Sequence, residues 1–452
     1  MILLPIGLVP VQVREVSSSI PLDIINKRLS LIDNSDLIKY VSNLSDYINL
    51  IFMYYKNSLG SIDKIKNDRT IFCLNQAPWK ELANSKKKPL TSSTSWSLRQ
   101  ELVLSVISLS LTYNQLSSNL IYKIIKYGTN DNGLIKKSEE TQLWNMSNNY
   151  LKNSLLHLKF LIDNDIIDEN DQIMETSLRF LNFIDHLIES SLQLSMLIKL
   201  NHLELVKILE DNWNFNISSQ TNFSILLKVS IYVYDQLTLL ENFNINPEIN
   251  QFLKIIKTYV KIYVCYYLSL ENYQKDNLGL SIGLINYVNE LLLKNKNNFF
   301  EVHEQDRNNK TSKLKASNFI NKLKDSKKSN GGSSGSSIIK NENSTLLIKR
   351  IIQEKDQKIN KDFNIYLSAC CLMDLNNLIK LINVVNLKLL KENENINFDA
   401  ISDKSQVMQF LTENLPSGRK VPLSIDQNWI PSCFKDNNDA NEIGEISAEG
   451  YY

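Results

Sequence analysis

Residues 95–120 read SWSLRQELVLSVISLSLTYNQLSSNL, a run with no glycine or proline. Leu98, Leu102, Val106, Leu109, Tyr113, Leu116 and Leu120 recur at steps of three and four, the α-helical period. One apolar stripe therefore runs the length of the segment, with Arg99, Gln100, Asn114 and Gln115 on other faces. A helix this long, with a stripe this continuous, is stable only against partner helices, so the segment dictates a helical bundle around it.

The rest of the chain supplies the partners. Helical periodicity appears at about 96–126, 139–164, 174–212, 221–243, 247–273 and 278–299, and resumes at about 345–357 and 363–390. Pro247 follows Asn246 in cap-then-first-turn order, and Phe252, Ile255, Tyr259, Ile262, Tyr266, Leu270 and Tyr273 form the apolar stripe behind it. Only 12 of 452 residues are glycine, too few turn-formers for an all-β or doubly wound fold. Residues 57–94, with Gly60, Pro78, Pro89 and the run Lys86, Lys87, Lys88, read as loop. Residues 307–342, rich in Ser, Asn, Lys and Gly, read as a disordered insertion. An acidic tail closes the chain, giving a main domain at 1–430 and a tail at 431–452. The N-terminal run MILLPIGLVPVQV lacks a basic start and is interrupted by Pro5 and Pro10, so it reads as a short extended segment rather than a signal peptide. The greasiest stretch, 259–270, is too short to span a bilayer and carries Lys261, so a soluble protein is expected.

Charge and chemistry narrow the function. Fifty basic and 49 acidic side chains give a formal charge of +1, without the basic excess typical of a nucleic-acid binder. Cys73, Cys265, Cys370, Cys371 and Cys433 form no CxxC pair and read as reduced thiols. Asp163, Asp165 and Asp168 resemble a calcium loop only superficially, because Ile167 and Asp168 stand where a ligand and a glycine are required. His157, His186, His202 and His303 show no metal-ligand spacing, and no phosphate-binding glycine loop or nucleophile elbow is present. No cofactor, metal or catalytic residue is therefore assigned, and a non-enzymatic role is expected.

Four segments carry a resemblance. The start Trp96, Leu98, Glu101 followed by a long Leu/Ser helix resembles the helix that opens the helical core of BRO domains. Residues 388–422 resemble the closing segment of fungal pH-response regulators of the PalC type, through Asn393, Glu394, Ile396 and Phe398 in a strand-like run, then Leu415, Pro416, Ser417, Gly418 and Arg419. The terminal Gly450, Tyr451 and Tyr452 are also similar to that family's ending. Asn277, Leu278 and Gly279 resemble a BRO-domain helix start, with Leu278 replacing the usual aromatic residue.

The resemblance implies an all-α, elongated, banana-shaped BRO domain with a tetratricopeptide-like helical core and a few short N-terminal strands. It also implies an exposed apolar patch that binds the C-terminal amphipathic helix of the ESCRT-III filament subunit. Residues 223–229, FSILLKV, resemble the family's patch helix and imply Ile225 and Val229 as contacts, with Leu197 on the preceding helix. The same three residues also fit a buried reading, since burial is the rule for apolar side chains. The implied role is a scaffold of the fungal alkaline-pH (Rim/Pal) pathway. It would link ESCRT-III to a calpain-like protease complex that activates a zinc-finger transcription factor. Membrane association would be peripheral and through partners, at endosomes or plasma-membrane foci, from a cytoplasmic pool and without nucleic acid. A BRO adaptor of endosomal cargo sorting and a helical-repeat module of RNA processing are the alternatives; the last would show a basic concave face.

Overall fold

The computed structural model describes residues 8, 10–13, 15–32, 35–74, 78–80, 95–128, 137–167, 173–211, 217, 222–245, 247–294, 344–353, 361–422 and 429–434. The insertion 307–342, His303, Asp168, Asn246, Lys86 to Lys88 and the tail with Tyr451 and Tyr452 lie outside these residues. The fold is all-α. Helices α1 (Leu22–Leu29), α2 (Leu37–Leu59), α3 (Leu98–Gly128), α4 (Lys137–Asp163), α5 (Leu178–Glu210), α6 (Phe223–Asn242), α7 (Pro247–Gln274) and α8 (Leu278–Lys294) come first. After them come α9 (Ser344–Gln353), α10 (Lys361–Tyr366), α11 (Ala369–Glu392) and α12 (Lys404–Glu413). Among the described residues the only strands are β1 (Ile71–Leu74) and β2 (Ser95–Ser97), paired antiparallel with Cys73 opposite Trp96.

Helices adjacent in sequence pack on each other from α1 to α2 and from α2 through α8, as short connections favour, and α11 returns against α3, α5 and α8. Helix α3 consequently has neighbours on several sides. Leu98, Leu102, Val106 and Leu109 are buried as the spacing predicts, but so are Arg99 and Asn114, which the stripe assigned to other faces. Serines line one of these contacts. Ser110 Oγ donates to the Ser154 carbonyl at 2.8 Å and Ser154 Oγ to the Ser110 carbonyl at 2.7 Å, while Ser117 and Ser147 pair through their hydroxyls at 2.7 Å. The pairs are spaced seven residues apart on each antiparallel helix, so small, self-satisfied side chains line the contact between α3 and α4. Ser269 and Ser281 repeat the reciprocal arrangement between α7 and α8.

The glutamate of the opening motif is an internal anchor. Glu101 is fully buried, and its carboxylate accepts from Arg28 Nε at 2.6 Å, Tyr47 Oη at 3.1 Å and Trp79 Nε1 at 2.7 Å. Arg28 also donates to the Pro78 carbonyl at 2.7 Å and stacks over the Trp79 ring. One buried carboxylate therefore ties α1, α2 and the segment at Trp79 to the start of α3, with its charge paired and its lone pairs occupied.

Several elements differ from the sequence expectation. Helix α2 and its buried Tyr40, Leu44, Tyr47, Ile51 and Tyr55 lie upstream of the expected bundle. The helical pattern at 363–390 is broken, because Ser368 caps a new helix by accepting from Cys371 N. The strand-like run at 393–398 is a π-helical turn, Asn393–Asn397, closing α11. Near the expected boundary at residue 430, Trp429 and Phe434 pack on Phe52, and Ser432 meets Asn49 at 3.3 Å. By length and composition α6 and the helix Ala369–Asn397 are apolar enough to cross a membrane, but half or more of each window is buried in the bundle.

Two buried groups set an acid-side balance. His157 on α4 lies between the rings of Tyr113 and Trp429, its Nδ1 donating to the Asn153 carbonyl at 2.5 Å, and burial pushes its pKa down to about 4. An unfolded histidine titrates near 6.5, so the folded state resists protonation and loses stability as the pH falls from about 6.5 to about 4. Asp374 on α11 accepts from Tyr259 at 2.5 Å, Tyr263 at 2.6 Å and Asn201 at 2.8 Å; burial nonetheless pushes it up to about 6. Its sign is opposite. The protonated form is favoured in the fold, so stability rises as the pH falls from about 6 toward the ordinary carboxyl value. Between pH 7 and pH 5, His157 should cost about 2 kcal/mol and Asp374 should return about 1 kcal/mol. In denaturant titrations at those two pH values, His157→Phe should remove the histidine loss and make the protein more stable at pH 5 than at pH 7. An unchanged pH dependence would contradict a neutral buried imidazole.

Candidate partner-binding face

Helix α6 begins at the cap Asn222, whose side chain accepts from Ile225 N at 3.3 Å. Its inward residues Leu227, Val233, Leu237 and Leu240 are buried against the bundle, between α5 and α7. The opposite stripe runs Ile225, Lys228, Tyr232, Asp235 and Leu239 at helical spacing, with Ile225 50% and Leu239 49% exposed. Ile225 is thus a large aliphatic side chain facing solvent from the first turn of a core helix.

The other two residues implied by the resemblance are placed differently. Val229 is 1% exposed and Leu197 0% exposed, so both are core residues and not surface contacts. For Leu197 the cause is the packing of α5 against α3, α4, α6 and α11. Val229 belongs to the inward stripe of α6 with Val233 and Leu237, while residues 415–422 cross the helix at Lys228 and Tyr232. Arg419 N donates to the Lys228 carbonyl at 2.9 Å, and a Cβ on Gly418 would sit 2.5 Å from Tyr232 N. The close approach at Gly418 explains a glycine there, because any side chain would lift the segment off α6.

The crossing segment is held from both helices. Val421 N donates to Gln193 Oε1 at 3.0 Å, Gln193 Nε2 donates back to the Val421 carbonyl at 3.1 Å, and Lys420 pairs with Glu189 at 2.6 Å. Burial, and then Glu189, raise the Asp185 carboxyl, while Lys420 offsets part of that rise. Burial and the bond to Glu189 likewise raise the Tyr232 hydroxyl. The Leu-Pro-Ser-Gly-Arg motif is therefore structural, strapping α5 to α6 and bordering the exposed Ile225. Spacing alone does not reveal the strap, because its bond from Val421 to Gln193 joins residues 228 positions apart.

Chemically the face offers an apolar anchor flanked by Lys228 and Asp235, the surface features of a docking site for a side chain of a partner. Among the described residues no group of three or more His, Cys, Asp or Glu is placed to hold a metal ion. His202 instead meets Glu140 at 3.2 Å within the bundle, and Asp165 at the calcium-like turn pairs with Lys66 at 2.5 Å. An open groove lies elsewhere, between the ends of α2 and α4, lined by Ile62, Lys159, Phe160, Trp429 and Phe434.

Residues 96–452 match the model of a family described as a family of unknown function, DUF5355. No curated protein matches the sequence. Among solved structures the chain is similar to a Bro1 domain studied for its endosomal targeting, at 11% identity and a TM-score of 0.44, over 86% of this chain and 78% of that one. It is also similar to ALIX in complex with a late-domain peptide, at 13% identity and a TM-score of 0.44, over 90% of this chain. The match spans 44% of the ALIX chain, less than half of its length.

Proposed function

The chain belongs to the DUF5355 family, and on that premise we propose that it is a non-enzymatic adaptor of the BRO type, docking an apolar partner helix around Ile225 on α6. The partner is the C-terminal amphipathic helix of the ESCRT-III filament subunit, and recruitment to endosomes or plasma-membrane foci follows from that contact. The observation that carries the reading is the exposure of Ile225 at the position the patch-helix motif implies. Helix-on-face docking suits it, because a few apolar anchors at i and i+3 or i+4 spacing suffice.

The pathway assignment rests on residues 388–422, whose resemblance favours the alkaline-pH response over general cargo sorting. The adaptor would then join ESCRT-III to the calpain-like protease complex that processes the zinc-finger factor. Residues 1–430 together with the packed 431–434 make one domain in this reading. Two measurements test it. The full chain should retain the ESCRT-III helix and not RNA in a pull-down, and cells lacking the chain should fail to process the factor at alkaline pH while sorting endosomal cargo normally. Intact processing with failed sorting would assign the chain to cargo sorting instead. Retention of RNA alone would replace the adaptor reading.

A further inference from the structure

The end of α11 presents an apolar knuckle that folding does not explain. The helix closes through a π-turn, Asn393–Asn397, and the residue that follows, Phe398, has φ 57° and ψ 28°. This left-handed position after a helix belongs to glycine or asparagine, and a bulky aromatic residue there is strained. The Phe398 side chain is 73% exposed, so no burial offsets the strain, and Ile396 is 70% exposed beside it. Ile401 and Met408, farther along the same segment, are exposed as well.

The knuckle is held rigidly. Phe398 N donates to the Asn393 carbonyl at 2.9 Å, Asp399 N to Asn393 Oδ1 at 2.8 Å, and Asn393 Nδ2 back to the Asp399 carbonyl at 3.1 Å. Ser402 N donates to the Gly279 carbonyl at 3.1 Å, and Gly279 and Gly283 of α8 lack the Cβ atoms that would collide with the Ala400 and Ser402 carbonyls. A capping box between Asp403 and Gln406 then starts α12, which buries Val407 and pairs Lys404 with Glu290 at 3.0 Å. Exposed aromatic and aliphatic side chains on a pre-organised backbone have the properties of binding anchors, because little entropy remains to be lost.

Charge selects the occupant. Over residues 391–413 the ionisable side chains are Glu392, Glu394, Asp399, Asp403 and Glu413 against Lys391 and Lys404, and Lys404 already faces Glu290. A second copy of the chain would bring acid against acid, and an anionic lipid surface would be repelled. An extended peptide finds no strand edge, since much of the backbone here is bonded internally. We infer that the Ile396 and Phe398 knuckle is a second docking surface, for a basic amphipathic helix of a partner protein. It lies on elements distinct from the Ile225 face.

The test titrates the full chain with a synthetic helical peptide of leucine on one face and lysine on the others, and with a scrambled peptide of the same composition. Phe398→Asn relieves the left-handed strain, so its melting temperature should equal or exceed that of the parent, while affinity for the helical peptide falls at least about tenfold. Ile396→Gln should weaken binding without unfolding, Asp399→Lys should weaken it most at low salt, and both losses should persist in an Ile225→Asp background, which removes any docking of the peptide on α6. Equal binding by Phe398→Asn, equal binding of the scrambled peptide, or a large loss of melting temperature in Phe398→Asn would overturn the inference. Capture by anionic vesicles, or self-association through the knuckle, in place of peptide binding would do the same.

Discussion

Glu101→Ala is expected to cost about 3–5 kcal/mol of folding stability, the range for removing one partner from a buried ion pair. The size follows from what is left behind. Arg28 keeps its charge in a site from which water is excluded, and Trp79 Nε1 and Tyr47 Oη lose the acceptor they share. Arg28→Met combined with Glu101→Met should be less destabilised than Glu101→Ala alone, because the uncompensated guanidinium is gone. Urea unfolding of the parent, the single and the double variant measures both statements. A loss below about 1 kcal/mol for Glu101→Ala would mean that the carboxylate is solvated and not the anchor of the N-terminal region.

Leu109→Ala should cost about 2–5 kcal/mol, the transfer free energy of the deleted atoms plus the cavity they leave. Leu109 is 1% exposed at the middle of α3, which α2, α4, α5 and α11 enclose. Collapse around the deletion is hindered because the Ser110 and Ser154 pair fixes the spacing of α3 and α4 beside it. Leu116→Ala, on the same stripe but only partly buried, should cost visibly less. Equal losses at the two positions would contradict the enclosure of α3.

Helix positions were legible because they depend on local periodicity. Helices α3 to α8 fall within a few residues of the spans that Leu and Ile spacing predicts. What lay beyond sequence reading depends on pairs distant along the chain. Arg28 and Glu101 are 73 positions apart, and neither advertises the other. Arg99 and Asn114 look like solvent-facing residues of an amphipathic helix, yet both are buried because α2, α4, α5 and α11 pack on several sides of α3. The strand-like run at 393–398 has alternating apolar residues, but Asn393 latches to Asp399 and turns it into a helix terminus.

The candidate face shows the same division. The patch motif points to α6 and to one residue that is exposed there, Ile225, but it also points to the buried Val229, because i and i+4 positions share a helical face. Val229 falls in with the inward Val233 and Leu237, whereas Ile225 lies outside that stripe, and how α6 seats between α5 and α7 decides this through contacts far apart along the chain. Leu197 is implied only by its place on the preceding helix, and no periodic signal there distinguishes core from surface.

The adaptor reading stands most directly on a titration of the ESCRT-III C-terminal helix against the parent chain and Ile225→Asp, with circular dichroism on both. Position 225 is the third residue of α6, where an acidic side chain favours the helix N-terminus, so the variant should fold with undiminished helicity. A charge at a central apolar anchor should cost several kcal/mol of binding through desolvation without a partner, leaving no measurable complex. Folded Ile225→Asp that binds the helix as tightly as the parent would contradict docking at this face.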